Sequence, residues 1–310
     1  MKLGIVVPCY NESEVLPETS RRLLGLLTRL VHAGSIGPDS RIWFVDDGSR
    51  DRTWEVIEDL HRKDERCAGI KLSRNRGHQN ALLAGLYTAD GDAVVTLDAD
   101  LQDDIDVVEE MVKAYASGHQ IVFGVRRQRK TDTAFKRLTA GLYYRMLRTM
   151  GVDTISNHAD YRLMSRQAIE CLKEFSEVNL FLRGIVPLIG FRSTIVYYDR
   201  AERYAGESKY PLRKMIMFAI EGITSFSAVP LKLITMLGLF LSLSSIVAVT
   251  WALLVRLFNE KAVPGWASTV LPMYFLGGVQ LFSIGIIGEY LAKIYMEVKG
   301  RPRYFIEKIL

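Results

Sequence analysis

The chain has 310 residues, 49% of them apolar, which is enough for a full globular core and rules out a disordered or low-complexity chain. Its net charge of +5 is modest, and the basic residues gather around two uncharged stretches, so anionic lipid head groups suit it as a partner and nucleic acid does not. Cys9, Cys67 and Cys171 are isolated and odd in number, which excludes a disulfide framework and suits a reducing compartment.

The N-terminal run from Leu3 to Pro8 is short, is cut by proline and is followed by Asn11-Glu12, which reads as a first strand and not as a signal peptide. Apolar runs at 3–8, 41–45, 67–72, 93–97 and 120–125 alternate with helical periodicity at about 13–32, 51–64, 78–89, 104–117 and 132–149. That alternation predicts a mostly parallel sheet with helices on both faces. Beyond Gly151 the pattern is irregular: a short segment at Tyr161–Met164, a helix near 165–174 and a strand at 193–199. Met215, Ala219, Ile223 and Phe226 then recur at helical spacing, which suits a helix at a membrane interface or one packed on the domain.

From Leu233 to Val255 and from Ala267 to Gly288 there is no charged side chain. Each stretch exceeds the roughly 20 residues that cross a bilayer core as a helix, so both read as transmembrane segments. Basic residues flank the pair on its outer sides, from Arg200 to Lys232 and from Lys293 to Lys308, whereas the intervening loop carries only Arg256 and Lys261. The bias places the N-terminal domain and the tail together in the cytoplasm.

Polar clusters end three of the predicted strands: Pro8-Cys9-Tyr10-Asn11-Glu12, Asp46-Asp47-Gly48-Ser49 and Asp98-Ala99-Asp100-Leu101-Gln102-Asp103. In an open parallel sheet these ends share the edge where ligands bind. The third cluster has two readings: an acidic turn that caps the next helix, or hard oxygen ligands for Mg²⁺ or Mn²⁺. Neither a Gly-x-Gly-x-x-Gly fingerprint nor a Walker lysine loop is present, which disfavours a dinucleotide or a hydrolysed triphosphate. His78 and His158 are isolated; His78 reads as a helix-start or surface residue.

Those three clusters, with Arg74-Asn75-Arg76-Gly77, Asp160-Tyr161-Arg162 and Gly206-Glu207-Ser208-Lys209-Tyr210 in the same order, resemble the family-two GT-A glycosyltransferases that glycosylate polyisoprenyl phosphates. The resemblance extends to the paired C-terminal helices, which look like those of bactoprenol glucosyltransferases, relatives of dolichol-phosphate-mannose synthase. It implies a GT-A α/β catalytic domain over 1–211, a juxtamembrane amphipathic helix over 212–230, two transmembrane helices within 231–290 and a basic cytoplasmic tail over 291–310. It further implies that Pro8, Tyr10, Glu12 and Asp46 or Asp47 border the nucleoside, that Asp98 lies near the sugar or ribose, and that Asp100 and Gln102 ligate the metal. Arg126, Arg137, Arg162, Arg203 and Lys209 become candidates for the acceptor phosphate, while Arg127, Arg129 and Lys130 suit a solvated basic face. Asp160 is either a base or the group that orients Arg162. A homo-oligomer, with a tetramer favoured, is also implied; Gly277, Gly278, Gly285 and Gly288 would permit close helix approach.

The expected reaction is inverting transfer of a hexose, glucose from UDP-glucose first, to undecaprenyl phosphate at the cytoplasmic face. Another sugar (mannose, N-acetylglucosamine or an aminopentose) and a non-catalytic lipid-binding scaffold are the alternatives. A processive polysaccharide synthase is disfavoured because Gln-x-x-Arg-Trp is absent, and a nucleotidyltransferase because no glycine-rich loop follows the first strand.

Overall fold

The computed structural model describes residues 1–127, 158–177, 182–199, 229–258 and 266–310. The expected helix at 132–149, the amphipathic stripe at 215–226, and Arg129, Lys130, Arg137, Arg203 and Lys209 lie outside them.

An eight-stranded sheet organises the domain. In chain order its strands are β1 (Leu3–Cys9), β2 (Arg41–Asp46), β3 (Cys67–Leu72), β4 (Ala93–Thr96), β5 (Ile121–Arg126), β6 (His158–Ser165), β7 (Ser193–Tyr198) and β8 (Ile306–Ile309). Their spatial order is β7-β5-β6-β4-β1-β2-β3-β8. The pairs β1–β2, β1–β4, β2–β3 and β5–β7 are parallel; β6 runs antiparallel to β4 and β5, and β8 antiparallel to β3. This is the α/β GT-A architecture with a mostly parallel, mixed sheet.

Burial of both faces explains the continuous apolar strands. All seven residues of β1 are buried; Leu3, Ile5, Val7 and Cys9 enter one core layer and Val6 the other, as a period of two requires. Over the first face lie α1 (Leu16–His32), α2 (Thr53–Lys63) and α4 (Val107–Ala116), through Leu23, Ile57 and Met111. The opposite face is covered by α3 (His78–Thr88), α5 (Arg166–Lys173) and α6 (Leu182–Leu188), through Leu83, Ile169 and Ile185. Each such buried side chain contributes about 1.5–3 kcal/mol of transfer free energy. Helix α3 sits so close to β1 that a Cβ at Gly85 would be 2.3 Å from Val6 Cγ1.

From β1 the chain winds outward through β2 to β3, then crosses back to place β4 on the other side of β1. The crevice between the carboxyl ends of β1 and β4 is therefore a topological switch point, and the polar clusters converge there.

Two long helices follow, α7 (Val229–Phe258) and α8 (Trp266–Lys299), and they contain the two uncharged stretches. Among the described residues one helical stretch, Phe275–Lys299, is long and apolar enough to cross a membrane; Val229–Leu241 is a shorter apolar stretch. The expected two-crossing hairpin is thus represented by two helices, of which one passes that test.

The tail is not the simple basic extension expected over 291–310. Helix α8 continues to Lys299, and the chain then turns back to the domain as β8. Arg303 Nη2 donates to the carbonyls of Phe175 at 2.6 Å and Glu177 at 2.8 Å, Lys308 pairs with Glu58 at 2.8 Å, and Leu310 N donates to the Gly69 carbonyl at 2.8 Å.

Candidate active site

The loop after β4 is fixed from both sides. Thr19 Oγ1 on α1 donates to the Ala99 carbonyl at 2.9 Å, and Gln102 N donates to Asp100 Oδ1 at 3.2 Å. Leu101 takes a left-handed φ of 56°, which turns the chain sharply while its side chain stays 6% exposed. A buried apolar residue in this turn leaves Asp98 and Asp100 presented to the crevice, and the residue at the N-terminal cap of α4 is Asp106, outside the cluster, with no side-chain cap hydrogen bond.

Two neighbouring loops lock to one another. Asn11, also left-handed at φ 57°, donates its backbone N–H to Ser49 Oγ at 3.0 Å and accepts from Arg50 N at 2.9 Å. Asp47 accepts from the backbone N–H groups of Arg76 at 2.7 Å and Gly77 at 2.8 Å, which draws the Arg74–Gly77 loop to the same edge. Gly48 is required where these loops meet: its φ is +65°, and a Cβ there would lie 2.5 Å from Arg74 C and Asn75 N. We expect Gly48→Ala to cost at least about 1–3 kcal/mol of stability and to raise the KM for a nucleotide-sugar donor, as read by thermal melting and by donor titration.

These loops enclose a cleft of ≈ 390 Å³. Pro8, Tyr10, Glu12, Asp98 and Asp100 line it, as the sequence leads one to expect, and so do Asp47 and Asp160. Asp46 does not. It is 1% exposed and accepts from Ser49 N at 3.0 Å, so this carboxylate holds the Gly48-Ser49 turn, and Asp47 is the one of the pair that reaches the cleft. Burial raises the pKa of both.

Two lining residues escape the sequence reading. His78 does begin α3, but its Nε2 stands 3.6 Å from Asp98 Oδ1 and 3.5 Å from Asp160 Oδ2, bridging two carboxylates from different strands. The signal for it is positional: Arg74–Gly77 follows β3 and is a fourth loop on the ligand-binding edge. Arg183, on α6, reaches Asp160 Oδ2 at 3.4 Å. No pattern in the sequence announces it, because α6 is a short helix of seven residues.

Arg162 is not available to a phosphate in this arrangement. It is 1% exposed and donates to Asp160 Oδ1 at 2.6 Å and to the Leu182 carbonyl at 3.3 Å. Residues 160 and 162 share one face of β6, which is why they meet. Burial would raise the pKa of Asp160, but the His78 hydrogen bond and the charges of Arg162 and Arg183 outweigh it and hold the carboxyl well below the usual range. Its 2.6 Å bond from Arg162 Nη2 is the contact that an orienting role requires. His78 experiences the converse: burial disfavours its charge, yet Asp160 and Asp98 raise its pKa.

Arg126 is likewise committed elsewhere. Its Nε donates to Tyr198 Oη at 2.9 Å and its Nη2 lies 3.4 Å from Asp103 Oδ1, while Tyr198 Oη donates to Asp103 at 2.7 Å. It is not among the residues that line the cleft. Asp103, 5% exposed, is therefore a buried anchor of the β4 loop.

Asp98 is pushed up to about 6, chiefly by burial and, against the pull of His78, by the nearby charges of Asp103, Asp160 and Asp100. Crowded carboxylates facing a polar cleft have the donor chemistry of a site for a hard divalent cation. Among the described residues no three His, Cys, Asp or Glu side chains converge to hold one; Asp100 lines the cleft, whereas Gln102, the other expected ligand, is 8% exposed and is not among the lining residues.

Residues 4–173 match the sequence profile of Glycosyl transferase family 2. The chain belongs to that family. Among the relatives of this family-two chain is the glycosyltransferase YkoT of Bacillus subtilis (strain 168), 51% identical over 98% of this chain and 91% of that protein. Another is the SfII prophage-derived bactoprenol glucosyl transferase of Shigella flexneri, 40% identical over 99% of this chain and 98% of the relative. A solved structure, mannosyl-3-phosphoglycerate synthase from Rubrobacter xylanophilus, aligns with a TM-score of 0.49 at 16% identity, covering 71% of each chain.

Proposed function

We propose that this family-two glycosyltransferase moves a hexose, glucose from UDP-glucose, onto the phosphate of a polyisoprenyl phosphate such as undecaprenyl phosphate, at the cytoplasmic membrane face and with inversion. The product would be a lipid-linked sugar donor for modification of cell-envelope glycans. The observation that carries this reading is the acidic cleft at the switch point in a chain 40% identical, over 99% of its length, to a bactoprenol glucosyl transferase.

Pro8, Tyr10, Glu12 and Asp47 border the nucleoside. Asp98 meets the sugar or ribose. Asp100 would hold Mg²⁺ or Mn²⁺ together with oxygens of the bound diphosphate, and the ion when bound supplies a Lewis acid for the departing nucleoside diphosphate. The acceptor needs no strong base, because a phosphate monoester has its second pKa near 6 and arrives ionised. One of its oxygens forms the bond to the anomeric carbon as the bond to the diphosphate oxygen breaks, and the electron pair leaves with the nucleoside diphosphate. Asp160 orients Arg162 and His78, and Arg137, Arg203 and Lys209 are the remaining candidates for positive charge at the acceptor; Arg126, held by Tyr198 and Asp103, is not one of them.

The return of β8 to the sheet supports an even number of crossings. If the chain enters α7 on the side of the domain, a crossing by α8 calls for a second one, and α7, with 30 residues, has a length of about 45 Å. The reading therefore includes a multi-pass membrane protein.

The donor is tested by incubating membranes that contain the protein with labelled UDP-glucose, UDP-N-acetylglucosamine and GDP-mannose, then extracting lipid. Label enters the lipid fraction from UDP-glucose; lipid that stays unlabelled with every donor contradicts the proposal.

A further inference from the structure

Bringing a lipid phosphate up to a nucleotide sugar joins two anions, and that requires a cation which the cleft's own carboxylates do not consume. Among the described residues that line the cleft, Glu12, Asp47, Asp98, Asp100 and Asp160 are acidic, and Arg183 is the only lysine or arginine. Its nearest carboxylate, Asp160, already receives a short bond of 2.6 Å from buried Arg162; the contact to Arg183 is long, at 3.4 Å. Arg183 lines the cleft with a side chain 35% exposed, and its ion pair to Asp160 is made by Nη2 alone. A guanidinium with donors to spare beside an already neutralised carboxylate is a site for a phosphate.

The sheet order assigns which phosphate. Neighbouring strands run β6-β4-β1-β2, and their loops contribute, in that sequence, Asp160 with α6 beyond it, then Asp98 and Asp100, then Pro8 to Glu12, then Asp47. If the nucleoside occupies the β1 and β2 loops and its diphosphate the β4 loop, the β6–α6 side is left for the attacking group. We propose that Arg183 binds the phosphate of the lipid acceptor and positions it for attack. This rests on the transfer reading above and adds the residue that receives the acceptor.

The test compares wild type, Arg183→Gln and Arg183→Lys as purified full-length protein, with UDP-glucose and a short-chain polyprenyl phosphate. Loss of a charge-assisted bond raises the acceptor KM of Arg183→Gln by about 10–100-fold and leaves the UDP-glucose KM within about twofold, while lysine recovers part of the acceptor binding. Should the glutamine variant melt early, the lysine variant is read in its place: it keeps the charge, loses the fork, and shows a smaller rise confined to the acceptor. An unchanged acceptor KM in both variants overturns the assignment, as does a rise confined to UDP-glucose, which would put the donor's diphosphate on Arg183. Wild-type protein that transfers normally in either case leaves the transfer reading standing; wild-type protein that transfers to no lipid phosphate overturns both.

Discussion

Asp100→Ala is expected to lower sugar transfer about a thousandfold, the equivalent of about 4 kcal/mol, which is the scale of a metal's contribution to a developing charge. The same substitution should remove the effect of Mg²⁺ or Mn²⁺ on nucleotide-sugar binding, read by calorimetric titration of UDP-glucose with and without the ion. The loop itself should survive: it loses the 3.2 Å bond from Gln102 N to Asp100 Oδ1 but keeps Thr19 on the Ala99 carbonyl and buried Leu101. Near-normal transfer by this variant would return the acidic run to the role of a turn. Metal-dependent binding without transfer in the wild-type protein would favour the scaffold alternative.

The second large effect concerns Asp160. Replacing it with alanine leaves Arg162, 1% exposed, without its carboxylate, and removing one partner of a buried pair costs about 3–5 kcal/mol. Thermal or denaturant unfolding should register that loss. Asparagine keeps an oxygen to accept from Arg162, so Asp160→Asn should be less destabilised and retain measurable turnover, with the shape of its pH–rate profile unchanged. The sign follows from the direction of the shift: with its folded pKa held below the ordinary carboxylate value, Asp160 is ionised throughout a neutral assay. Its stabilising contribution is present above the unfolded pKa of about 3.9 and is lost as pH falls through the folded value. Loss of a basic limb from the pH profile in Asp160→Asn would restore the base.

The first half of the domain was legible because its strands are buried on both faces and its helices are amphipathic. Predicted runs at 41–45 and 67–72 became Arg41–Asp46 and Cys67–Leu72, and the predicted helix at 78–89 became His78–Thr88. Strand-end chemistry was legible for the same reason: in a parallel sheet the loops of β1, β2 and β4 must share an edge. Where the sheet turns antiparallel, the signal fades. Only Tyr161–Met164 of β6 stood out in the sequence, since the strand begins at His158 and takes in Asp160, a charge that a strand can bury here only because Arg162 neutralises it. The four residues of β8 are all exposed, so they carry no buried face and no periodicity for sequence reasoning to find.

At the site, spacing identified which loops contribute but not which atoms face the ligand. Adjacent Asp46 and Asp47 are indistinguishable in sequence, yet one caps its own turn and the other lines the cleft while tying the Arg74–Gly77 loop. Arg162 and Arg126 were chosen for their charge; each proves engaged by a carboxylate, Arg162 by Asp160, a pairing the sequence already offered, and Arg126 by Asp103, which nothing in the sequence pairs with it. His78 and Arg183 come from α3 and α6 on the opposite face of the sheet from α1, and only the folded arrangement brings them to Asp160.

The most direct measurement uses purified protein in vesicles with labelled UDP-glucose, a divalent metal, and either a polyprenyl phosphate or the corresponding polyprenol. The account predicts labelled lipid with the phosphate and metal together, and none with the alcohol or with chelator, because an ionised phosphate attacks without a base whereas a hydroxyl needs one. Equal labelling of the alcohol, or no labelling of the phosphate, would contradict it.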